Sequence, residues 1–214
     1  MSDNYHQTRF SEDAKRDVLW RTLWRAYFSK HAPRDGCVLD LGCGYGQFIN
    51  NVEARRRIAV DAWPGFAEHL DVGVEPIVGS VTDLSAIEDG AVDYAFASNL
   101  FEHLSQDDVK TTLRSLAPKL SSRGTLTVLQ PNFAHAYREY FDDFTHVSIW
   151  THISFADFLR ANGYDVLDVR ARFLPMTIKS RLPVSPFLIE AYLHSPIKPM
   201  GKQMLLTAQV RPSS

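Results

Sequence analysis

VLDLGCGYG, residues 38–46, is a buried strand that runs straight into a turn. Val38, Leu39 and Leu41 supply the apolar run. Gly42, Gly44 and Gly46 then let the backbone bend sharply and come close to a ligand. A loop of this kind serves a small cofactor. Dinucleotide-binding folds carry G-x-G-x-x-G at the same place, and two residues separate this chain from them. Gln47 stands where that fingerprint wants Gly or Ala, and an acid, Asp40, lies two positions before the first glycine. The next apolar run ends in Asp61, nineteen positions beyond Gly42, where a carboxylate can accept both hydroxyl protons of a ribose.

Outward from this loop, short apolar runs alternate with helical stretches, the pattern of a parallel sheet flanked by helices. The runs place strands near 37–41, 57–61, 75–79, 92–98 and 124–130, with helices between them. The longest helix, 106–121, starts after Ser105, puts Val109, Leu113, Leu116 and Leu120 on one face, and closes at Ser121 to Gly124. Another spans Ser154 to Asn162 and ends at Gly163. Tyr164–Phe173 and Gln203–Arg211 read as the last two strands. Upstream, Ser11, Glu12 and Asp13 start an amphipathic helix over 11–31, with Trp20, Leu23, Trp24, Tyr27 and Phe28 at helical spacing. Its tryptophans are read as core packing.

The bounds agree with one soluble α/β domain over 1–214. The chain has 214 residues, 45% hydrophobic and 22% charged, with a formal charge of -2. That balance excludes the strongly basic footprint of a nucleic-acid-binding domain. Cys37 and Cys43 have no second pair to complete a zinc site and read as reduced structural thiols. The polar N-terminus has no signal-like segment, and no run reaches the roughly 18 apolar residues of a membrane span, so the expected compartment is the cytoplasm. Charge is nevertheless segregated: residues 170–214 hold seven Lys or Arg against one acid. Within them, 174–202 is a basic segment with prolines at 175, 183, 186, 196 and 199 around PFLIEAYL. It reads as a cap that receives an anionic substrate, as a peripheral contact with an acidic membrane surface, or as an edge insertion with solvated charges.

VLDLGCGYG, Asp61, GSVTDL, DYAFASNLFEHL and LAPKLSSRGTLTVLQPN occur in the order found in class I S-adenosylmethionine-dependent methyltransferases, and over about residues 36–170 the chain resembles that family. The resemblance implies a Rossmann-like, seven-stranded, mostly parallel sheet with the last strand antiparallel, and S-adenosyl-L-methionine as cofactor. It also implies that Gly42, Gly44 and Gly46 border the methionine moiety, that Asp40 lies near its ammonium, and that Asp61 holds the ribose diol. Many relatives have an acid directly after the third-strand glycine. This chain has Ser80 there, which leaves the adenine to Asp83, to the Val81 backbone and to Ser80 itself.

Asn99, Glu102 and His103 follow the fourth strand, where an α/β sheet opens onto its ligand crevice, and Asn99 is counted with the cofactor-binding residues. DDFTHVSIWT, in the connection after the fifth strand, adds Asp142, Asp143, Thr145 and His146. Methyl transfer to a hydroxyl benefits from a base, and His146 is the first candidate, with His103 and Glu102 beside it. Each histidine also has a plain structural reading: His146 as a tether of its loop, and His103, in an EHL that opens a helix, as an imidazole packed against the sheet. Glu102, His103 and His146 together resemble the metal site of small-RNA 2′-O-methyltransferases, but Asn99 stands where a further carboxylate would be, so no metal is expected. Ser98-Asn99-Leu100-Phe101 lacks the prolines of enzymes that act on base amines, and neither cysteine lies where cytosine-carbon methylation needs one. RFSEDAKRDVLW, SNLFEHL and DDFTHVSIWT are similar to bacterial methyltransferases of uncharacterised specificity, often thought to modify sugars or polysaccharide precursors. The expectation is O-methylation of a small, phosphate-bearing acceptor, the alternative a cofactor-binding regulator or scaffold without transferase activity.

Overall fold

Cys37–Leu41 (β1) is buried at every position because it is an interior strand, paired in parallel with Arg56–Asp61 (β2) on one side and Val92–Ser98 (β4) on the other. Val74–Val78 (β3) continues outward from β2, and Leu120–Pro131 (β5) continues from β4, all in parallel. Gly201–Val210 (β7) then inserts antiparallel between β5 and Tyr164–Pro175 (β6), giving the order β3-β2-β1-β4-β5-β7-β6. The computed structural model describes residues 14–175 and 185–212. It is the expected seven-stranded Rossmann-like sheet with one antiparallel hairpin.

Alternation along the strands divides the core between the two faces. Leu39 and Leu41 of β1 and Ala95 and Ala97 of β4 face Gln106–Leu116 (α2) and His152–Ala161 (α4), where Val109, Leu113, Phe155 and Leu159 are buried. Val38, Tyr94 and Phe96 face Ala14–Ala26 (α1). There Phe48 stacks on Phe96 at 4.0 Å and Trp20 meets both edge-on, so the tryptophan stripe is core, as read. Such aromatic pairs contribute about 1 kcal/mol beyond their burial. Ser105 caps α2 by accepting from the Asp108 amide, and Thr151 and Ser154 form a reciprocal cap on α4.

Several boundaries differ from the sequence reading. The helix from residue 106 stops at Leu116 because Pro118 breaks it into a single 3-10 turn at Ala117–Lys119. Leu120 therefore opens β5 instead of closing the helix. The β1–β2 and β2–β3 connections hold only 3-10 turns, Ile49–Asn51 and Pro64–His69, where whole helices are expected. Pro64-Gly65 interrupts the second. The upstream helix ends at Ala26, followed by a turn at Phe28–Lys30, and its expected start at Ser11 lies outside the described residues. The four-residue helix Phe133–Ala136 (α3) follows β5. Within the proline-rich segment, Pro186–His194 (α5) packs Ile189, Tyr192 and Leu193 onto the α1 face, with Glu190 paired to Arg25. Among the described residues no helix is long and apolar enough to cross a membrane.

Candidate active site

The glycine loop leaves β1 at the carboxyl edge of the sheet. Gly42, Gly44 and Gly46 have φ of 68°, 53° and 67°, left-handed values that L side chains rarely adopt. At Gly44 an added Cβ would meet nothing within 4 Å, so the loop's face is open there. Asp61, at the end of β2, fixes the loop: its Oδ2 accepts from the Gly44 amide at 2.8 Å and its Oδ1 from the Trp63 amide at 2.9 Å. Each oxygen keeps a further lone pair for a hydroxyl donor. Asp40 is buried beneath the loop, and burial, together with the nearby Asp61 charge, holds its carboxyl well above the usual range. A cation arriving there would reverse that shift. Both thiols are free, and burial pushes Cys37 up to about 11, as expected of inert structural cysteines.

After β3, Ser80 bonds Thr82 at 2.7 Å, and Asp83 accepts from the Ser85 amide, which keeps its exposed carboxylate in a local turn. Val81 is buried in the core with its backbone in that turn. Asn99, with φ 49°, makes the tight turn after β4, and its Oδ1 accepts from Gln203 Nε2 at 2.8 Å. Gln203, at the start of β7, is a site residue that sequence reading missed. Its pattern is only a polar position in a strand, and no local motif marks it.

Leu100 joins the two halves of the site. A Cβ on Gly42 would stand 2.8 Å from its Cδ1, so the glycine loop rests against it. Two residues on, the 3-10 turn Phe101–His103 presents Glu102 and His103. The connection after β5 is zipped onto this turn: the Val147 and Ser148 amides both donate to the Glu102 carbonyl, Ser148 Oγ donates to the Leu104 carbonyl at 2.6 Å, and Trp150 Nε1 donates to the Phe101 carbonyl. These bonds bring His146 to His103, with ring centroids 4.8 Å apart. Tyr140, which sequence reading also missed, supports the arrangement: its carbonyl accepts from His146 and its hydroxyl donates to the Ser148 carbonyl.

Hydrogen bonding fixes the tautomers. Carbonyls only accept, so His146 Nδ1 donates to Tyr140 and Nε2 is its basic nitrogen. The Thr145 hydroxyl gives its proton to Asp143 at 2.6 Å, so it must accept from His103 Nδ1 at 2.9 Å. His103 Nε2 is then the basic atom, 4.0 Å from Glu102 Oε1. Burial, aided by His146, brings His103 down to about 4, so the ring is neutral. Glu102 is 1% exposed, and neither carboxylate oxygen has a hydrogen-bond partner among the described residues. Burial pushes it up to about 8. Ligating atoms of Glu102, His103 and His146 lie within 4.8 Å of one another, so these three sequence candidates do converge.

The basic surplus of the C-terminal region is largely engaged. Arg170 pairs with Asp168, Arg211 with Asp165 and Lys202 with Glu139, while Lys198 caps carbonyls at the end of α5. Arg172 lies 3.3 Å from His135 Nδ1. Lys179 and Arg181 fall outside the described residues.

The family described as "Methyltransferase domain" matches residues 13–169. Solved structures with the same fold include a SAM-dependent methyltransferase from Archaeoglobus fulgidus, 18% identical with a TM-score of 0.67, covering 96% of this chain and 97% of that one. Another, from Thermotoga maritima, is 17% identical with a TM-score of 0.69 and covers 96% and 94%. The geranyl diphosphate C-methyltransferase of Streptomyces coelicolor A3(2), in complex with Mg2+, geranyl diphosphate and S-adenosyl-L-homocysteine, is 16% identical, with a TM-score of 0.62 over 87% and 76%. No curated protein matches the sequence.

Proposed function

Because this chain belongs to the methyltransferase-domain family, we propose that it transfers a methyl group from S-adenosylmethionine to a hydroxyl oxygen of a small, phosphate-bearing acceptor such as a sugar phosphate, in the cytoplasm. The observation that carries this reading is the convergence of Glu102, His103 and His146 two residues beyond Leu100, the side chain on which the glycine loop rests. Methyl transfer from a sulfonium needs alignment above all, since the cofactor supplies the leaving group. An oxygen acceptor also needs somewhere to place its proton, and this buried, base-rich cluster provides it.

Gly42, Gly44, Gly46 and Asp40 hold the methionine end, Asp61 the ribose, and Ser80, Val81 and Asp83 the adenine edge. Asn99, held by Gln203, shapes the turn between cofactor and acceptor. The excess positive charge of residues 170–214 supports an anionic acceptor. With Arg170, Arg211 and Lys202 in ion pairs, phosphate recognition falls to Arg172, Lys179 and Arg181.

The test is an assay with methyl-labelled S-adenosylmethionine against sugar phosphates, sugar nucleotides and their dephosphorylated counterparts. A labelled methyl ether on the phosphorylated acceptors is expected, with KM raised by Lys179→Glu plus Arg181→Glu and cofactor affinity unchanged. Equal turnover of the dephosphorylated compounds, or label on nitrogen or carbon, overturns the acceptor assignment.

A further inference from the structure

We propose that Glu102, His103 and His146 form an open binding site for a first-row divalent transition-metal ion. The site itself follows from the geometry, while the placement of the ion opposite the acceptor rests on the methyl-transfer reading above.

A carboxylate without a hydrogen-bond partner among the described residues sits 1% exposed beside two imidazoles, and ligating atoms of all three lie within 4.8 Å of one another. Leaving a buried carboxylate uncompensated is costly, and proteins rarely retain one without a cation or proton to satisfy it. The imidazoles are arranged as ligands are: each donates Nδ1–H to an outer partner, Tyr140 for His146 and Thr145 for His103, which orients the ring and makes Nε2 the coordinating atom. The Thr145 hydroxyl is in turn fixed by Asp143, so the His103 support is two residues deep.

Three protein ligands leave one or more positions open, the pattern of ions that bind an exchangeable ligand. In the sequence, Asn99 argues against an ion because it replaces a fourth ligand. In the fold Asn99 is turned to Gln203 and Ser98, and the remaining three are sufficient for an open site. Two imidazoles and one carboxylate favour Mn2+, Fe2+, Co2+ or Zn2+ over Mg2+ and Ca2+, which prefer all-oxygen shells. Bonds of about 2.1 Å put neighbouring ligands about 3.0 to 3.4 Å apart, so the three side chains have to close by only about 1 to 2 Å.

The experiment uses the full chain without a polyhistidine tag, stripped with a chelator, dialysed and titrated with Co2+ while visible absorption is recorded. Zn2+ follows by competition, and neither cofactor nor acceptor is present. One equivalent should bind, with affinity rising from Mn2+ to Co2+ and Mg2+ failing to compete. Glu102→Gln, which removes the carboxylate ligand while keeping shape, should weaken Co2+ by at least about 100-fold, and Thr145→Val by about tenfold. S-adenosylhomocysteine binding should survive in both, showing that the fold is intact. If Glu102→Gln does not fold, His146→Gln supplies the same comparison. Well below one equivalent bound by the wild type, or equal binding by a folded ligand variant, would overturn the site and leave the cluster holding a shared proton. One equivalent bound as expected, with no labelled product in the methyl-transfer assay described above, would instead leave the site standing and count against the proposed function.

Discussion

Replacing Asp61 with alanine separates the cofactor from every other part of the site. The carboxylate accepts from the Gly44 and Trp63 amides at 2.8 and 2.9 Å, and both oxygens retain capacity for ribose hydroxyls. Hydrogen bonds to a charged group contribute about 1.5 to 3 kcal/mol when buried. Asp61 is only partly buried, so water replaces much of what its own loop loses, and the free protein should lose about 1 to 2 kcal/mol. For the bound nucleoside, losing the acceptor of both hydroxyls removes a further 1.5 to 3 kcal/mol, or about 10- to 150-fold in Kd. Calorimetry with S-adenosylhomocysteine on wild type and Asp61→Ala, each checked by urea denaturation, measures the two effects separately. Asp61→Asn keeps one accepting oxygen but turns an NH2 toward an amide donor, so it should lose nearly as much. A Kd for Asp61→Ala within about twofold of wild type would refute the ribose assignment.

Three further outcomes follow from the same geometry. Asp40 is held above its ordinary value of 3.8, so the folded state binds its proton more tightly; its contribution is complete below 3.8 and is lost as pH climbs through the raised value. Cofactor-free protein should therefore weaken as pH climbs above the ordinary carboxylate range, and Asp40→Asn should flatten that fall in urea midpoints while weakening the cationic cofactor. Gly44→Ala meets no neighbour within 4 Å but must hold φ at +53°, which costs about 1 to 2 kcal/mol. Its new methyl occupies the ligand face, so cofactor Kd should rise by about tenfold or more, and unchanged calorimetry would place the ligand elsewhere. Ser148→Ala removes the 2.6 Å bond to the Leu104 carbonyl and should cost about 1 to 2 kcal/mol. It should lower kcat through the misplaced His146 loop and leave S-adenosylhomocysteine affinity as it was, which steady-state kinetics and calorimetry check together.

Legibility followed the range of the physics involved. VLDLGCGYG, the acid at Asp61 and the Ser105 cap are local signals, because a turn needing positive φ or an orphan amide needing an acceptor constrains residues next to one another. The alternation of apolar runs marked the strands of an α/β sheet for the same reason. Expectation failed where the strand connections hold only 3-10 turns, at Ile49–Asn51 and Pro64–His69, and where Pro118 ended a helix whose apolar spacing continues through Leu120. The cluster was legible as residue types only. That His146 reaches His103 depends on carbonyls of Phe101, Glu102 and Leu104 accepting from the later loop, and a backbone carbonyl has no sequence signature. Gln203 and Tyr140 were invisible for a related reason: each acts through a partner far away in sequence or through its own main chain.

A crystal structure with S-adenosylhomocysteine bound would decide whether the glycine loop and the histidine cluster serve one reaction. The ribose hydroxyls should sit on Asp61, the amino-acid end against Gly42 to Gly46, and the sulfur should point past Leu100 toward Glu102, His103 and His146. A nucleoside bound with its sulfur directed away from that cluster would contradict the placement of the acceptor, and with it the role of the cluster in methyl transfer.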